Sequence, residues 1–245
     1  MNLRTFALKT QRMIRSRGFR GALAWAWQKA WGRFVLDETH IWYELDPASE
    51  RPRRVLEPGL MLRRGEGRDL STLAELNTTH GEAARSRLER GNDLWLVVDG
   101  RDKLLFSCWI FRRRAPAVAA PQGRIELARG MVCLEESVTA PAARGRGVAP
   151  AAWCAIADEL ADEGVRRMIT KVTVENLPSR TAVEKVGFEG VALMHFKRIG
   201  PKRRTSVKRL DERRGRYFVV ALDPGSPDRT PTAARAPRAR EEVRR

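Results

Sequence analysis

The chain has 245 residues and a net charge of +17. This length is enough for one filled α/β core with or without appendages. No apolar run approaches the roughly 18 to 20 residues of a bilayer-spanning helix, which excludes an integral helical membrane protein. The three cysteines, Cys108, Cys133 and Cys154, show no metal-ligand spacing. They indicate reduced, mostly buried thiols of a cytoplasmic protein, and no metal site is predicted.

The positive charge is concentrated at the two ends of the sequence. Residues 1–36 hold eight Lys/Arg and no acid, and residues 200–245 hold fourteen Lys/Arg against six acids. The 163 residues between them hold 25 basic and 24 acidic groups. We therefore expect the ends to meet an anionic surface, and the nearly neutral middle argues against a core that binds nucleic acid.

Residues 1–36 are predicted to form a basic, amphipathic helical extension. Two helical patterns are separated by Gly18, and the second has an apolar stripe with basic residues off it. One interpretation is a helix that lies on the inner face of the membrane. The other is a helix packed on the core with a solvated basic face. The stripe consists of Leu23, Trp27, Ala30, Trp31 and Phe34.

After a linker or edge strand over residues 37–58, strand and helix patterns alternate through a folded domain at 59–222. A helix is expected to begin at Pro150 and to end at Gly164, a residue type that favours helix C-termini. Residues 223–245 lack an apolar period and predict a disordered basic tail. Helical patterns cover residues 69–77, 81–90 and 179–186. Strand patterns cover residues 59–63, 94–98, 104–111, 168–174, 191–197 and 217–222, and residues 125–139 contain one long or bulged strand.

The turn before the Pro150 helix is suited to a pyrophosphate. Residues 144–149 read Arg-Gly-Arg-Gly-Val-Ala. Glycines let such a turn direct its backbone N–H groups inward, and the following helix N-terminus adds a partial positive charge.

Three features in register resemble the GNAT superfamily of acyl-CoA N-acyltransferases. The first is Thr139-Ala-Pro-Ala-Ala-Arg-Gly-Arg-Gly-Val-Ala149, similar to the family's fourth strand end and its glycine loop. The second is the strand pattern at 168–174 that leads to Asn176. The third is the stretch from Asn176 to Gly187-Phe188. The resemblance implies a mixed α/β (α+β) fold, with a mostly antiparallel twisted sheet that splays at the acyl-CoA site and is flanked by helices.

The resemblance also implies acetyl-CoA or another acyl-CoA as co-substrate. The alternative interpretations are solvated arginines beside a turn for Arg144 and Arg146, and a simple helix cap for Asn176. Gly187 and Phe188 are interpreted as structural. Carried over residue by residue, the acyl-CoA contacts are Val138, Thr139, Arg144, Gly145, Arg146, Gly147, Val148, Ala149, Asn176 and Ser179.

Acyl transfer to an amine needs a base that deprotonates the ammonium form. Glu135 and Glu136, on the strand before Thr139, are the candidates, and strand alternation predicts that they point to opposite faces. Alternation also predicts that Glu135 shares a face with Ser137 and Thr139. The alternatives are a surface carboxylate or a salt-bridge partner for Arg129. Many members of the family have a tyrosine acid seven residues after the asparagine, where this chain has Val183.

The sequence therefore predicts an N-acyltransferase, in the first place an N-acetyltransferase, that acts on an amine of a small molecule or an amino sugar by direct attack. The alternative is a non-catalytic acyl-CoA-binding sensor or scaffold held at the membrane by its basic ends. The predicted location is the cytoplasm, with peripheral association at the inner membrane face. The acceptor, the acyl chain length and the oligomeric state are not predicted.

Overall fold

Residues 35–223 are described by a computed structural model of the chain. Most of the predicted 1–36 extension and of the 223–245 tail therefore lies outside the described residues. The four described α-helices are Gly81–Glu89 (α1), Val148–Asp162 (α2), Leu177–Glu184 (α3) and Arg216–Leu222 (α4), with 3-10 helices at Gly67–Leu76 and Pro141–Ala143. The strands are Val35–Leu45 (β1), Met61–Gly65 (β2), Asp93–Val98 (β3), Leu104–Phe111 (β4), Arg114–Pro116 (β5), Arg124–Glu126 (β6), Met131–Thr139 (β7), Arg167–Thr173 (β8), Glu189–Ile199 (β9) and Lys202–Arg209 (β10).

Eight strands form one sheet in the order β10-β9-β1-β8-β7-β4-β3-β2, and β5 and β6 form a separate hairpin. Every pairing in the large sheet is antiparallel except that of β7 with β8. Helix α2 follows β7 and returns the chain to β8, as a parallel pair requires. The predicted mixed fold, with a large and mostly antiparallel sheet flanked by helices, is confirmed.

Strand β1 corrects the expectation of a linker or edge strand at 37–58. It lies inside the sheet and is hydrogen-bonded to β8 on one side and to β9 on the other. Its Trp42 and Tyr43 are buried on successive residues, hence on opposite faces, and the Trp42 ring lies 4.9 Å from that of Phe218. The folded unit therefore begins before residue 59.

Two further expectations about elements are wrong. Residues 217–222 form helix α4 instead of a strand, because Phe218 and Leu222 lie four residues apart on one buried helical face. The segment 125–139 holds β6 and β7, separated by a turn in which Gly130 has a φ of 73°. Glycine tolerates this left-handed conformation without steric cost.

Helix α2 forms the main layer on one face of the sheet. Its apolar stripe is buried as the spacing predicts, but the helix begins at Val148, two residues before Pro150. The buried stripe includes Trp153, Ile156, Ala157 and Leu160. None of the helices within residues 35–223 is long and apolar enough to cross a bilayer.

Candidate functional site

Strands β7 and β8 separate halfway along their length. Their parallel pairing ends at Cys133 and Ile169, and the hydroxyl of Thr170 then donates a hydrogen bond of 2.9 Å to the carbonyl oxygen of Leu134. Beyond this point β7 remains paired with β4 and β8 with β1. The backbone groups that face the resulting gap need another partner, because unpaired peptide groups are costly to bury.

A β-bulge in β7 lies beside this gap. The register between β4 and β7 shifts between Ser107 and Trp109, so Cys108 lies opposite both Glu136 and Ser137. Glu136 has a φ of 50°, in the left-handed region that non-glycine residues seldom adopt. A bulge of this kind re-aims the side chains around it and is common beside active sites.

The bulge brings Glu135 and Glu136 to the same face of the sheet, which corrects the prediction of opposite faces. Glu136 is bonded to Arg87, whose guanidinium lies 5.2 Å from the centroid of the Trp109 ring. Trp109 lies directly across from Glu135, and residues opposite each other in a ladder share a face. Strand alternation fails here because the bulge adds one residue to β7.

Ser137 consequently points to the face covered by α2. Its hydroxyl oxygen accepts a hydrogen bond of 3.1 Å from the indole N–H of Trp153. The expected shared face of Glu135 and Ser137 is therefore wrong as well.

Glu135 forms a buried ion pair with Lys171. Lys171 donates to its Oε1 and also to the carbonyl oxygen of Pro116, at 2.9 Å in the latter case. The two charged side chains are only 16% and 14% exposed. Burial works to lower the pKa of Lys171, but the Glu135 carboxylate outweighs burial and the pKa is raised. Glu135 is thus held as the counter-ion of Lys171, which argues against its use as a base.

Glu136 faces an open pocket of about 560 Å³. Arg87 Nη2 donates to its Oε1 at 2.6 Å, and the hydroxyl of Thr78 to its Oε2 at 3.3 Å. Burial works to raise the pKa of Glu136, but Arg87 and two threonine hydroxyls outweigh it, and the pKa is lowered. The carboxylate is therefore anionic at neutral pH. The pocket is lined by Asn77, Thr78, Thr79, His80, Ala83, Glu136 and Val138.

His80 also lines this pocket, although its sequence context indicates no partner for it. Its Nδ1 lies 2.8 Å from the carbonyl oxygen of Thr78. A carbonyl oxygen only accepts, so Nδ1 carries the proton in this hydrogen bond, and Nε2 of the neutral ring keeps its lone pair. His80 is far from Glu136 in sequence, and only the packing of the α1 region on the sheet brings both to one pocket.

The predicted glycine turn stands at the start of α2. Gly145 and Gly147 have φ values of 79° and 76°, and a Cβ placed on either would meet no protein atom within 4 Å. Gly147 is the N-cap of α2 and has no side chain to cap the free N–H groups of the first turn. The open space and the uncapped N–H groups together fit an anionic group such as a pyrophosphate.

The two arginines of the turn have protein partners. Arg144 Nε donates to the carbonyl oxygen of Thr139 at 3.2 Å. Arg146 forms an ion pair with Glu57, a contact that the sequence did not indicate. The pKa of Glu57 is lowered by its hydrogen bond from Arg146. A phosphate ligand that takes Arg146 would have to displace Glu57.

Asn176 and Ser179 lie at the other side of the gap. Because β7 and β8 are parallel, the helices that follow them, α2 and α3, both start at the same edge of the sheet. Asn176 is the N-cap of α3, and its Oδ1 accepts a hydrogen bond of 3.2 Å from the backbone N–H of Ser179. Its helix-capping role is thus present, and no hydrogen bond or ion pair of the described residues joins it to the glycine turn.

The remaining residues predicted to contact acyl-CoA lie between the end of β7 and the first turn of α2. Val138 lines the Glu136 pocket, and the Thr139 carbonyl holds Arg144. Val148 is buried and Ala149 is partly buried at the first turn of α2. Val183, at the position of the family tyrosine, is only 2% exposed and presents no acid.

Residues 84–188 match the model of the Acetyltransferase (GNAT) family. No curated protein matches the sequence. Among solved structures, a GCN5-related N-acetyltransferase from Sphaerobacter thermophilus is 12% identical, with a TM-score of 0.51 over 78% of this chain and 58% of that one. A putative GNAT-family acetyltransferase from Novosphingobium aromaticivorans is 16% identical, with a TM-score of 0.49 over 69% and 68% of the two chains.

The ribosomal-protein-S18-alanine N-acetyltransferase from Escherichia coli is 14% identical, with a TM-score of 0.41 over 53% of this chain and 77% of that one. The chain spans 58% of the length of each of the first two solved structures that it matches. At such identities the likeness of the Sphaerobacter structure shows the fold alone. Together with the family match at 84–188, it shows that this part of the chain is similar to the GNAT acetyltransferases.

Proposed function

We propose that the protein is an N-acyltransferase, in the first place an N-acetyltransferase, that moves an acyl group from acyl-CoA to an amine of a small molecule or an amino sugar. The observation that supports this most is the gap between β7 and β8. It has an uncapped, glycine-lined helix N-terminus at one end and a polar pocket with an anionic Glu136 beside it.

Acyl-CoA supplies the acyl group as a thioester. The backbone N–H groups of residues 144–149 bind its pyrophosphate, and Arg144 and Arg146 add charge-assisted hydrogen bonds. Asn176 and Ser179 contact its arm from the start of α3, while Val138 and Thr139 lie along the other side. Backbone N–H groups of β7 that face the gap polarise the carbonyl, in the manner of an oxyanion hole.

The acceptor amine occupies the pocket beside the bulge. Glu136, anionic because of its lowered pKa, attracts the ammonium form of the acceptor and orients it. His80 Nε2 accepts the proton, since its lone pair is free in the neutral ring and a carboxylate with a lowered pKa is a weak base. The neutral amine then attacks the thioester directly.

The alternative is a non-catalytic acyl-CoA sensor or scaffold. The buried Val183 favours it, because no acid stands where many relatives have a tyrosine for the departing thiolate. A thiolate with a pKa near 8.5 leaves without full protonation, so this position alone does not decide between the two functions.

Calorimetric titration with coenzyme A and a thiol-release assay with acetyl-CoA and a panel of amines and amino sugars separate the possibilities. We expect binding and turnover for the wild type. Glu136→Gln should keep coenzyme A binding and lower turnover by about 10²-fold because the acceptor is no longer oriented, whereas the exposed control Glu89→Gln should change neither. Binding without turnover on any amine supports the sensor, and absence of coenzyme A binding refutes both.

A further inference from the structure

The hairpin of β9 and β10 is strongly basic. Residues 197–204 read Lys-Arg-Ile-Gly-Pro-Lys-Arg-Arg, and residues 197–209 hold seven Lys/Arg and no acid. These residues belong to a folded edge of the sheet, because β10 is its terminal strand and is paired with β9 alone. From the sequence we expected most of this charge to lie in a C-terminal end outside the core.

One face of the hairpin presents a row of cationic side chains. Lys202, Arg204 and Lys208 lie on alternate positions of β10 and so share a face, and Lys197 is directly across from Arg204. Lys202, Arg204 and Lys208 are exposed, and no carboxylate of residues 35–223 forms an ion pair with them. Asp37 is the acid on this face, where it binds Lys197 at 3.0 Å.

The tip of the hairpin adds an apolar group among these charges. Ile199 is 53% exposed, and its neighbours in sequence are Arg198 and Gly200. Residue Val35, the first of β1, is paired with Ile199. Residues 1–34, which hold eight Lys/Arg and no acid, therefore join the sheet at this tip.

These two segments account for nearly all of the net charge of the chain. Outside residues 1–34 and 197–209, thirty-two Lys/Arg stand against thirty Asp/Glu. A positive surface of this kind draws the β9–β10 edge of the sheet toward an extended anionic partner.

We propose that the β9–β10 hairpin is a docking surface for an anionic lipid bilayer. The row of Lys202, Arg204 and Lys208 contacts lipid headgroups, and Ile199 enters the boundary between headgroups and acyl chains. A nucleic acid is the less suitable partner, because residues 197–209 contain no aromatic side chain on which bases could stack.

The proposal does not depend on catalysis and is tested on the full chain by sedimentation with phosphatidylcholine vesicles, with and without phosphatidylserine. We compare K202Q/R204Q/K208Q with the control R90Q/R101Q/K103Q. The control removes the same charge from exposed side chains around α1 and the β3–β4 turn, near the opposite edge of the sheet. Thermal unfolding verifies that both variants fold.

The wild type should bind only vesicles that contain phosphatidylserine. The hairpin variant should lose on the order of a hundredfold in binding, since each cation near an anionic membrane contributes about a factor of five. The control should stay within a fewfold of the wild type, and Ile199→Ser should weaken binding without any change in charge.

Equal binding by the hairpin variant and the control overturns the proposal, as does equal binding to both vesicle types or to neither. A single-stranded RNA oligonucleotide that displaces the wild type from the vesicles, and that binds the hairpin variant poorly, would reassign the surface to nucleic acid.

Discussion

Helix α2 offers a matched pair of glycines that isolates ligand binding from stability. Gly147 precedes its first turn and Gly164 follows its last, with φ values of 76° and 80°. A Cβ on either would meet no protein atom within 4 Å. Alanine at either position therefore costs only the left-handed backbone energy, about 1 kcal/mol at the low end of the usual range. In a domain of this size that lowers Tm by about 2–4 °C.

The two substitutions differ only in whether the new methyl group lies where we expect a ligand to bind. At Gly147 the new methyl group occupies the space in front of the uncapped N–H groups, where we place the pyrophosphate. Coenzyme A at a hundred times its Kd stabilises the wild type by about 2.7 kcal/mol. If Gly147→Ala weakens binding a hundredfold, the same coenzyme A concentration adds only about 0.4 kcal/mol.

The assay is thermal unfolding with and without coenzyme A, supported by calorimetric titration. Both variants should lose the same small amount of stability without ligand. Gly164→Ala should regain the full ligand-induced rise in Tm, and Gly147→Ala only a small part of it. Normal coenzyme A binding by Gly147→Ala, or equal loss in both variants, would refute the placement of the pyrophosphate at this turn.

The remaining predictions concern buried charges and the pocket. Lys171→Met should cost about 3–5 kcal/mol in the free energy of unfolding because it leaves Glu135 buried without a partner, and the double variant K171M/E135L should regain most of it; equal instability of both would contradict this. Asp69→Asn should cost about 2–3 kcal/mol at neutral pH by urea unfolding, since the carboxylate accepts two hydrogen bonds from Arg63. Because Arg63 lowers the pKa of Asp69, this stabilisation is complete above the unfolded pKa and is lost as the pH falls through the folded one. The difference between wild type and variant should therefore shrink below about pH 4, and a constant difference would exclude the ionised carboxylate as its source. His80→Gln should lower kcat/KM because Nε2 no longer accepts the proton of the acceptor, while His195→Gln should leave kcat/KM unchanged; full activity of His80→Gln would rule out the proposed base.

The glycine turn and the elements around it could be predicted because their signals are local. Residues 144–149 combine two glycines with a following apolar stripe, and the turn and helix lie where these patterns place them. The helix start at Val148 differs from the expected Pro150 only because Gly147, in a left-handed conformation, already serves as the N-cap.

The geometry around the carboxylates of Glu135 and Glu136 could not be predicted because it depends on contacts between distant segments of the chain. The pattern at 125–139 allows a bulged strand, but the position of the bulge at Glu136 is a property of the pairing of β7 with β4. The partners of the two carboxylates, Lys171 for Glu135 and Arg87 for Glu136, come from other elements. Local alternation is reliable only where the ladder is regular.

Helix α4 shows a limit of apolar patterns in short segments. Residues 217–222 are rich in aromatic and β-branched side chains, which favours a strand on composition alone. In the folded domain Phe218 packs on Trp42 from a helix instead. Packing against the finished sheet decides the conformation.

The interior position of β1 has a consequence for synthesis on the ribosome. Residues 35–45 leave the exit tunnel early, but both of their partners, at 167–173 and 189–199, are made more than a hundred residues later. A strand with unpaired edges must therefore wait for these later segments, and contacts of such long range slow folding. The nascent protein should accordingly rely on chaperones that shield exposed strands, and its sheet should close only after residues 189–199 have left the tunnel.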